Sequence, residues 1–202
     1  MELHRITSAD DPLLEQLLPL YESAFPEEER RTRKQLSKML SLTRPMYFNA
    51  ILATPDDIKD FEALAEDTRA LLIDTRILCG LFSYWDFDSF YYLEHLATFP
   101  QLRNHRIGGK VLTHMEQHFP QLQLLEVEPP TDEITRRRIA YYERNGFRIL
   151  NRDYLQPPYS RPSDENPGFP LWIMGRGTAG NIEENIRTIH QEVYIAPYSL
   201  DE

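Results

Sequence analysis

The spacing of apolar and polar positions changes several times along the chain and predicts a succession of strands and helices. The opening LHRITS has the length of a short strand, and ADDPLLEQLLPLYESAF after it repeats its apolar residues at helical spacing. Asp10 or Asp11 is expected to cap this helix, with Pro12 in its first turn. A second, more polar helix is predicted after Pro26, in EEERRTRKQLSKML.

Three apolar and aromatic runs come next, namely MYFNAILAT, ALLIDTRILCGLFSYWDF and SFYYLEHLATF. Each is rich in the aromatic and β-branched residues that favour strands, and Pro, Asp and Ser separate the runs. The pattern therefore predicts three consecutive strands of an antiparallel meander.

The spacing becomes helical from Gly108 to Phe119, and Pro120 ends that segment. The mostly apolar LQLLEVE that follows is typical of a buried strand. A strand, a helix and a second strand thus follow one another at the length of a parallel βαβ unit, which we place at residues 91–128.

The remaining sequence predicts two more helices and two more strands. TDEITRRRIAYYERNGF has clear helix boundaries, because Thr131 can cap its start and Gly146 can end it. RILNRDYLQ and FPLWIMGR are expected to be strands, and NIEENIRTIHQEVY a terminal helix. Since 202 residues suit one hydrophobic core, we expect a single domain over residues 1–178 and a helical tail over residues 179–202.

Composition limits the class of partner and the compartment. The net charge of -10 disfavours nucleic acid and anionic membranes, whereas a cationic amine suits such a surface. No apolar run is long enough to span a bilayer, so the expected location is cytoplasmic. Cys79 is the only cysteine, which excludes an intrachain disulfide. We expect a monomer or a homodimer.

One short stretch differs from this acidic average. Arg103, Arg106 and Lys110 lie within eight positions that contain no acid, and Gly108 and Gly109 stand at the start of a predicted helix. Free backbone amides and the positive end of the helix dipole favour an anion at such a start. Neither G-x-x-x-x-G-K-[ST] nor G-x-G-x-x-G is present, so P-loop and Rossmann sites lack their motifs.

The sequence resembles the GNAT superfamily of acyl-CoA N-acyltransferases at two motifs. RNHRIG, at residues 103–108, is similar to the family's phosphate-binding signature of Arg or Gln, two residues, Gly, one residue, then Gly or Ala; Arg106 stands at the first glycine position. AYYERNGF, at residues 140–147, is similar to the family's aromatic-Tyr pair followed after three residues by Gly-Phe. Thr135 and Arg138 replace the usual Asn and Ala upstream of that pair.

The resemblance implies an α/β (α+β) fold with a mixed, mostly antiparallel central sheet of six to seven strands flanked by helices. It also implies acetyl-CoA as co-substrate and a small-molecule or peptide amine as acceptor. Backbone groups at the end of the strand before the phosphate loop would hold the pantetheine arm, and the loop would hold the pyrophosphate. The positions assigned to coenzyme A are Leu96, Ala97, Thr98, Arg103, Asn104, His105, Arg106, Ile107, Gly108, Gly109 and Lys110.

No metal site is predicted. His114 and His118 lie one helical turn apart, a spacing that zinc ligands can use. However, HMEQH is not the H-E-x-x-H motif, and the sequence offers no evident third ligand.

Amide formation requires the acceptor amine to lose a proton. A lysine-like amine has a pKa of about 10.4, so at neutral pH a base must accept that proton. Glu94, on the strand that enters the phosphate turn, is the first candidate, and Glu128 and Glu126 on the following strand come next. Each could instead be a surface acid paired with an arginine.

The leaving thiolate also needs a proton. By resemblance Tyr142 occupies the family's general-acid position, and the alternative is a core tyrosine at helical spacing. Direct attack is expected, because neither Cys79 nor a Ser/His/Asp arrangement signals a covalent nucleophile. Two other functions stay open: a GNAT-like acyl-CoA-binding or sensing module without catalysis, and an unrelated nucleotide-binding α/β protein.

Overall fold

A computed structural model describes residues 1–41, 46–59, 61, 71–159, 167–178 and 180–197. The strands are β1 (Glu2–Ile6), β2 (Met46–Ala53), β3 (Leu72–Ile73), β4 (Arg76–Asp86), β5 (Phe90–Thr98), β6 (Leu122–Val127), β7 (Arg148–Gln156) and β8 (Phe169–Arg176). The helices are α1 (Pro12–Ala24), α2 (Arg33–Leu40), α3 (Ile107–His118), α4 (Glu133–Arg144) and α5 (Ile182–Ile189), which continues as a π-helical turn over His190–Ile195.

The strands form one sheet in the order β1-β2-β4-β5-β6-β8-β7, and the two-residue β3 pairs with β4. All of these neighbours are antiparallel except β5 and β6, which are parallel and joined by α3. The predicted fold class, the antiparallel meander and the parallel βαβ unit at residues 91–128 are therefore confirmed.

β5 and β6 part before β5 ends. Their paired positions run from Phe90 opposite Leu122 to Leu93 opposite Leu125, yet β5 continues to Thr98. On its other side this last part of β5 stays paired with β4, since Leu96 lies opposite Phe82. Among the described residues, the backbone of β5 that faces β6 beyond Leu93 therefore has no strand partner, and the sheet opens in its middle.

A β-bulge marks the point where the opening begins. Ser83 on β4 lies opposite His95, and its neighbour Tyr84 lies opposite Leu93, so Glu94 is the extra residue on β5. Bulges bend a strand and redirect a side chain, and they are frequent next to active sites. The bulge thus places one carboxylate where the two parallel strands separate.

Helices cover both faces of the sheet because successive strand residues point to opposite faces. One apolar cluster joins β2 and β4 to α1, α2 and α5, with Leu17, Leu36 and Ile189 among its members. The other cluster joins the same strands to α3 and α4, with Leu112 and Ile139 among its members. No helix in the described ranges is both long enough and apolar enough to cross a membrane.

The segment predicted as a C-terminal tail contributes to the core. Its predicted helix is α5, capped by Asn181, and Val193 and Tyr194 of the π-helical turn are 0% exposed. Both residues belong to the apolar cluster that includes α1. Residues 179 and 198–202 of this segment lie outside the described part of the chain.

Candidate active site

The N-terminus of α3 presents backbone amides without a side-chain cap. Arg106 is its N-cap residue, and the first bond within the helix runs from the amide of Lys110 to the Arg106 carbonyl at 3.0 Å. The amides of residues 107–109 precede that bond and so lack an intrahelical acceptor. By contrast, the other α-helices of the described ranges receive side-chain caps from Asp11, Thr32, Asp132 and Asn181.

Arg106 adopts the backbone conformation that favours glycine. Its φ is 61°, in the left-handed region, and Asn104 two residues earlier has φ of 70°. A residue with a Cβ pays roughly 1–2 kcal/mol for this conformation. The loop therefore keeps a left-handed turn at this position and places an arginine side chain on it.

Gly108 lies against the next helix. A Cβ added to it would come within 2.7 Å of the Tyr141 hydroxyl oxygen on α4, a distance that real Cβ contacts do not show. A Cβ added to Gly109 would come no closer than 3.9 Å to the Asn145 amide oxygen. The absence of a side chain at 108 thus permits α3 and α4 to approach each other.

Two cavities adjoin at the opening between β5 and β6. One, of about 500 Å³, surrounds the start of α3, and the other, of about 570 Å³, extends between the parted strands. Residues common to both are Leu96, Thr98, Arg103, Arg138 and Tyr142. A continuous groove therefore leads from the uncapped amides to the interior of the opening.

Most of the positions assigned to coenzyme A line this groove. The cavity at α3 is lined by Leu96, Thr98, Arg103, Asn104, Arg106, Ile107, Gly108 and Gly109, and Ala97 lines the other. Lys110 faces elsewhere, because its Nζ donates to Asp57 Oδ1 at 3.1 Å and to the Asp57 carbonyl at 2.8 Å. Neither cavity is lined by His105.

Tyr142 lines both cavities and remains a proton donor at neutral pH. Burial raises the pKa of its phenol above the ordinary value. Its ring packs against Tyr141 and Phe147, with centroid separations of 5.2 and 5.8 Å. No group among the described residues hydrogen bonds its hydroxyl, which leaves that proton available to a ligand.

Glu94 is enclosed by donors. Its carboxylate accepts hydrogen bonds from Arg31 Nη1 and, each at 3.1 Å, from Ser83 Oγ, Trp85 Nε1 and Tyr159 Oη. Burial alone would raise the pKa of this carboxyl, but the Arg31 guanidinium holds it well below its usual range. Such a carboxylate is a weak proton acceptor, since protonation would break the ion pair.

Arg31 is the buried partner that sequence reasoning missed. Its Nη2 donates to the Val193 carbonyl at 2.7 Å, and its Cζ lies 4.8 Å from the ring centroid of Tyr159. It is separated from Glu94 by 63 residues and stands in EEERRTRKQL, where several neighbouring cations have the same local pattern. No local signal in that run distinguishes it.

Glu126 lies in the same cavity with a different environment. It accepts hydrogen bonds from Tyr154 Oη and, at 2.9 Å, from Tyr194 Oη. Burial raises the pKa of Glu126 to about 7, and the hydroxyls of Tyr154, Tyr194 and Tyr92 limit the rise. A group with that pKa can accept and release a proton near neutral pH.

Glu128 lies at the edge of the cavity and pairs with Arg138 Nη1. Both side chains are partly exposed, at 43% and 47%. Water therefore screens this pair, and Glu128 is less enclosed than Glu94 or Glu126.

The family comparison assigns the fold and the general chemistry. The model of the acetyltransferase (GNAT) family matches residues 14–147, which is more than half of the 202-residue chain. The chain belongs to the GNAT family. GNAT membership supports acyl transfer with acyl-CoA as donor, so the chain is an acyltransferase in that general sense.

Solved structures agree with the GNAT assignment. A Bacteroides thetaiotaomicron protein assigned to the GNAT acetyltransferases is 30% identical, with a TM-score of 0.78 over 96% of this chain and 98% of the other. An acyl-CoA N-acyltransferase from Pseudomonas aeruginosa shares the fold at 16% identity, with a TM-score of 0.50 over 88% of this chain and 100% of the other. A comparison with curated proteins gave no significant match.

The departures from the GNAT motifs have identifiable positions in the structure. Thr135, at the usual asparagine position, exchanges hydrogen bonds with the α4 cap, since its amide donates to Asp132 Oδ1 at 2.8 Å. Arg138, at the usual alanine position, lines both cavities and reaches Glu128. Within the described residues, no group of three or more His, Cys, Asp or Glu side chains could hold a metal ion.

Proposed function

We propose that this GNAT protein transfers the acetyl group of acetyl-CoA to an amine by direct attack. The observation that carries the proposal is the shared cavity: Glu126, with a pKa near 7, and Tyr142, with an unengaged hydroxyl, line one space that opens toward the uncapped amides of α3. A base, an acid and an anion site are the three groups that the reaction needs.

The α3 end of the groove suits the pyrophosphate of coenzyme A. The amides of Ile107, Gly108 and Gly109 can donate to phosphate oxygens, and Arg103 and Arg106 add positive charge beside them. The free edge of β5 over residues 94–98 can receive hydrogen bonds from an extended pantetheine arm, as an added strand would. Lys110 has no part in this proposal, because Asp57 holds its ammonium group.

The acceptor amine would enter from the side of Glu126. The cavity lining includes Glu29, Glu126 and Glu128, and these acids favour a cationic group. Glu126 takes the proton of the ammonium, directly or through water, and is preferred over Glu94 because no cation is paired with it in the described structure. Glu128 lines the exposed edge of the same cavity and is paired with Arg138.

The covalent step then balances without an enzyme intermediate. The nitrogen lone pair forms the bond to the thioester carbonyl carbon, the carbon–sulfur bond breaks, and Tyr142 supplies a proton to the departing sulfur. The nitrogen loses a second proton as the amide forms, and that proton returns to Tyr142 through solvent, so the net release is the one proton taken by Glu126. Cys79 does not compete as a nucleophile: it is buried, burial raises the pKa of its thiol to about 12, and it lines neither cavity.

A second function has one specific observation in its favour. Arg138 occupies part of both cavities at a position where GNAT proteins usually have alanine, which suits a module that binds acyl-CoA without turnover. Binding is expected for both functions, so turnover distinguishes them.

The test uses the full-length protein. Calorimetry should show saturable binding of acetyl-CoA, and thiol release should depend on an amine drawn from a panel of polyamines, amino acids and peptides with free N-termini. Binding without thiol release for any amine would favour the sensing module. Absence of acetyl-CoA binding would exclude both functions.

A further inference from the structure

The π-helical turn at residues 190–195 brings a tyrosine hydroxyl to the proposed base. Tyr194 is fully buried, and its Oη lies 2.9 Å from Glu126 Oε2 although 68 residues separate the two in sequence. The turn lies beyond residues 14–147, the span that the GNAT family model matches. The contact with the site is therefore made by a segment outside the span that the family model matches.

The direction of the hydrogen bonds at Tyr194 follows by elimination. Gln156 Nε2 can only donate, and it lies 3.1 Å from Tyr194 Oη. The Tyr92 hydroxyl lies 2.9 Å from the same oxygen. When Glu126 is ionised its carboxylate can only accept, so in that state the single proton of Tyr194 goes to Glu126, and Tyr92 donates to Tyr194.

The same turn also contacts the hydrogen-bond network around Glu94. The Val193 carbonyl, next to Tyr194, accepts a hydrogen bond from Arg31, which pairs with Glu94. One short segment therefore contacts Glu126 directly and Glu94 through its arginine. Single-turn π-helical insertions occur often at functional sites.

We propose that Tyr194 is a positioning residue that aims the carboxylate of Glu126 into the cavity and favours its ionised form. The inference rests on the proposed function, in which Glu126 is the base. With this role, the C-terminal segment contributes a residue to the side of the site where the acceptor amine would bind.

Several groups besides Tyr194 act on the ionisation of Glu126. β5 contributes Tyr92 and Glu94, and β7 contributes Tyr154, with Gln156 acting through Tyr194. The same cavity is also lined by Glu29, His95, Arg103, Glu128 and Arg138. Hydroxyl donors stabilise the carboxylate and nearby carboxylates destabilise it, so loss of one hydroxyl must raise the pKa of Glu126.

The test measures the titration of Glu126 without relying on turnover. Protein labelled with carbon-13 at the glutamate carboxyl carbon is titrated by NMR, and the Glu126 resonance is assigned from its loss in Glu126→Gln. Tyr194→Phe should raise the midpoint by about one pH unit, since a hydrogen bond to a charged group has about that value. Tyr47→Phe, a tyrosine of β2 that lines neither cavity, is the matched control and should leave the midpoint unchanged.

Turnover supplies the second measurement. In Tyr194→Phe the acid limb of kcat/KM should move upward with the NMR midpoint, and turnover on the alkaline plateau should fall, because the ionised carboxylate is no longer held toward the cavity. A folded Tyr194→Phe protein with the wild-type midpoint would overturn the inference, even if it transferred acetyl groups normally. A wild-type protein that transfers to no amine, with the NMR shift intact, would instead overturn the proposed function.

A second variant serves if Tyr194→Phe does not fold. Gln156→Met keeps Tyr194 and removes one donor to its oxygen, which weakens the hydroxyl as a donor to Glu126. A smaller upward shift of the Glu126 midpoint is expected. An unchanged midpoint in this variant would contradict the positioning role.

Discussion

Arg31 and Glu94 form an ion pair inside the protein, with side chains only 2% and 1% exposed. The pair joins the loop before α2 to the bulge of β5, at the point where the sheet opens. Removal of one partner would leave the other as a buried, uncompensated charge. The pair thus connects two walls of the groove, and we expect proton transfer to fall to another residue.

Arg31→Met should destabilise the protein by roughly 3–5 kcal/mol, because Glu94 would lose its counter-ion in a buried site. Urea unfolding followed by circular dichroism measures this loss. Arg33→Met is the control, since Arg33 forms an exposed pair with Glu22 and should cost little. The double variant Arg31→Met with Glu94→Gln should recover part of the stability. Equal stability of Arg31→Met and Arg33→Met would contradict the buried-pair argument.

The pH dependence of turnover should follow Glu126. Because burial raises the pKa of this carboxyl to about 7, the base is mostly protonated below pH 7 and ionised above it, so kcat/KM should rise through pH 7. Glu126→Gln should lose roughly a hundredfold or more in turnover and lose this rise. Glu128→Gln, in the same cavity, should keep the rise in its pH profile. A normal profile in Glu126→Gln would assign the base elsewhere.

Tyr142→Phe should lower turnover by roughly a hundredfold, because the proton-donating hydroxyl is removed. Acetyl-CoA affinity should stay nearly unchanged, because the aromatic ring that lines the groove is kept. Steady-state thiol release and calorimetry measure the two effects separately. Tyr47→Phe again serves as the matched substitution. If Tyr142→Phe turned over at the wild-type rate, this phenol could not be the acid.

Gly108→Ala should weaken coenzyme A binding more than Gly109→Ala. The added methyl at 108 meets the Tyr141 hydroxyl at 2.7 Å, whereas at 109 the nearest atom is 3.9 Å away. The first substitution must therefore displace α3 or Tyr141, next to the backbone amides of residues 107–109 that are proposed to bind the phosphates. Calorimetric dissociation constants compare the two variants, and adding Tyr141→Phe to Gly108→Ala should restore part of the loss. Equal affinities for both alanine variants would show that the contact is unimportant.

Local pattern was sufficient to predict the strand order of the meander and the βαβ unit. Alternating apolar residues and the Gly and Pro boundaries act over short distances, so β4, β5 and α3 could be inferred from their own residues. Gly108 and Tyr142 could be proposed as site residues because each belongs to a motif with fixed spacing.

Contacts across the fold could not be predicted in this way. Among the candidate bases Glu126 comes after Glu94 in the sequence analysis, since nothing in LLEVE shows that hydroxyls 28 and 68 residues away surround it. The resemblance places Lys110 with the phosphate-binding residues. Each residue turns a helix by about 100°, however, so a side chain two positions after Gly108 points to another face.

The parting of β5 and β6 gives the sheet a seam. Within the described residues, the β1–β5 half and the β6–β8 half of the sheet are joined by four directly paired positions, from Phe90 and Leu122 to Leu93 and Leu125. A pantetheine arm bound along residues 94–98 would fill the gap between the two strands and so lengthen the connection between the two halves of the sheet. Loading with coenzyme A would then strengthen the connection between the two halves, and would fix the donor on β5 relative to Glu126 and Tyr142, which both lie on the β6–β8 side.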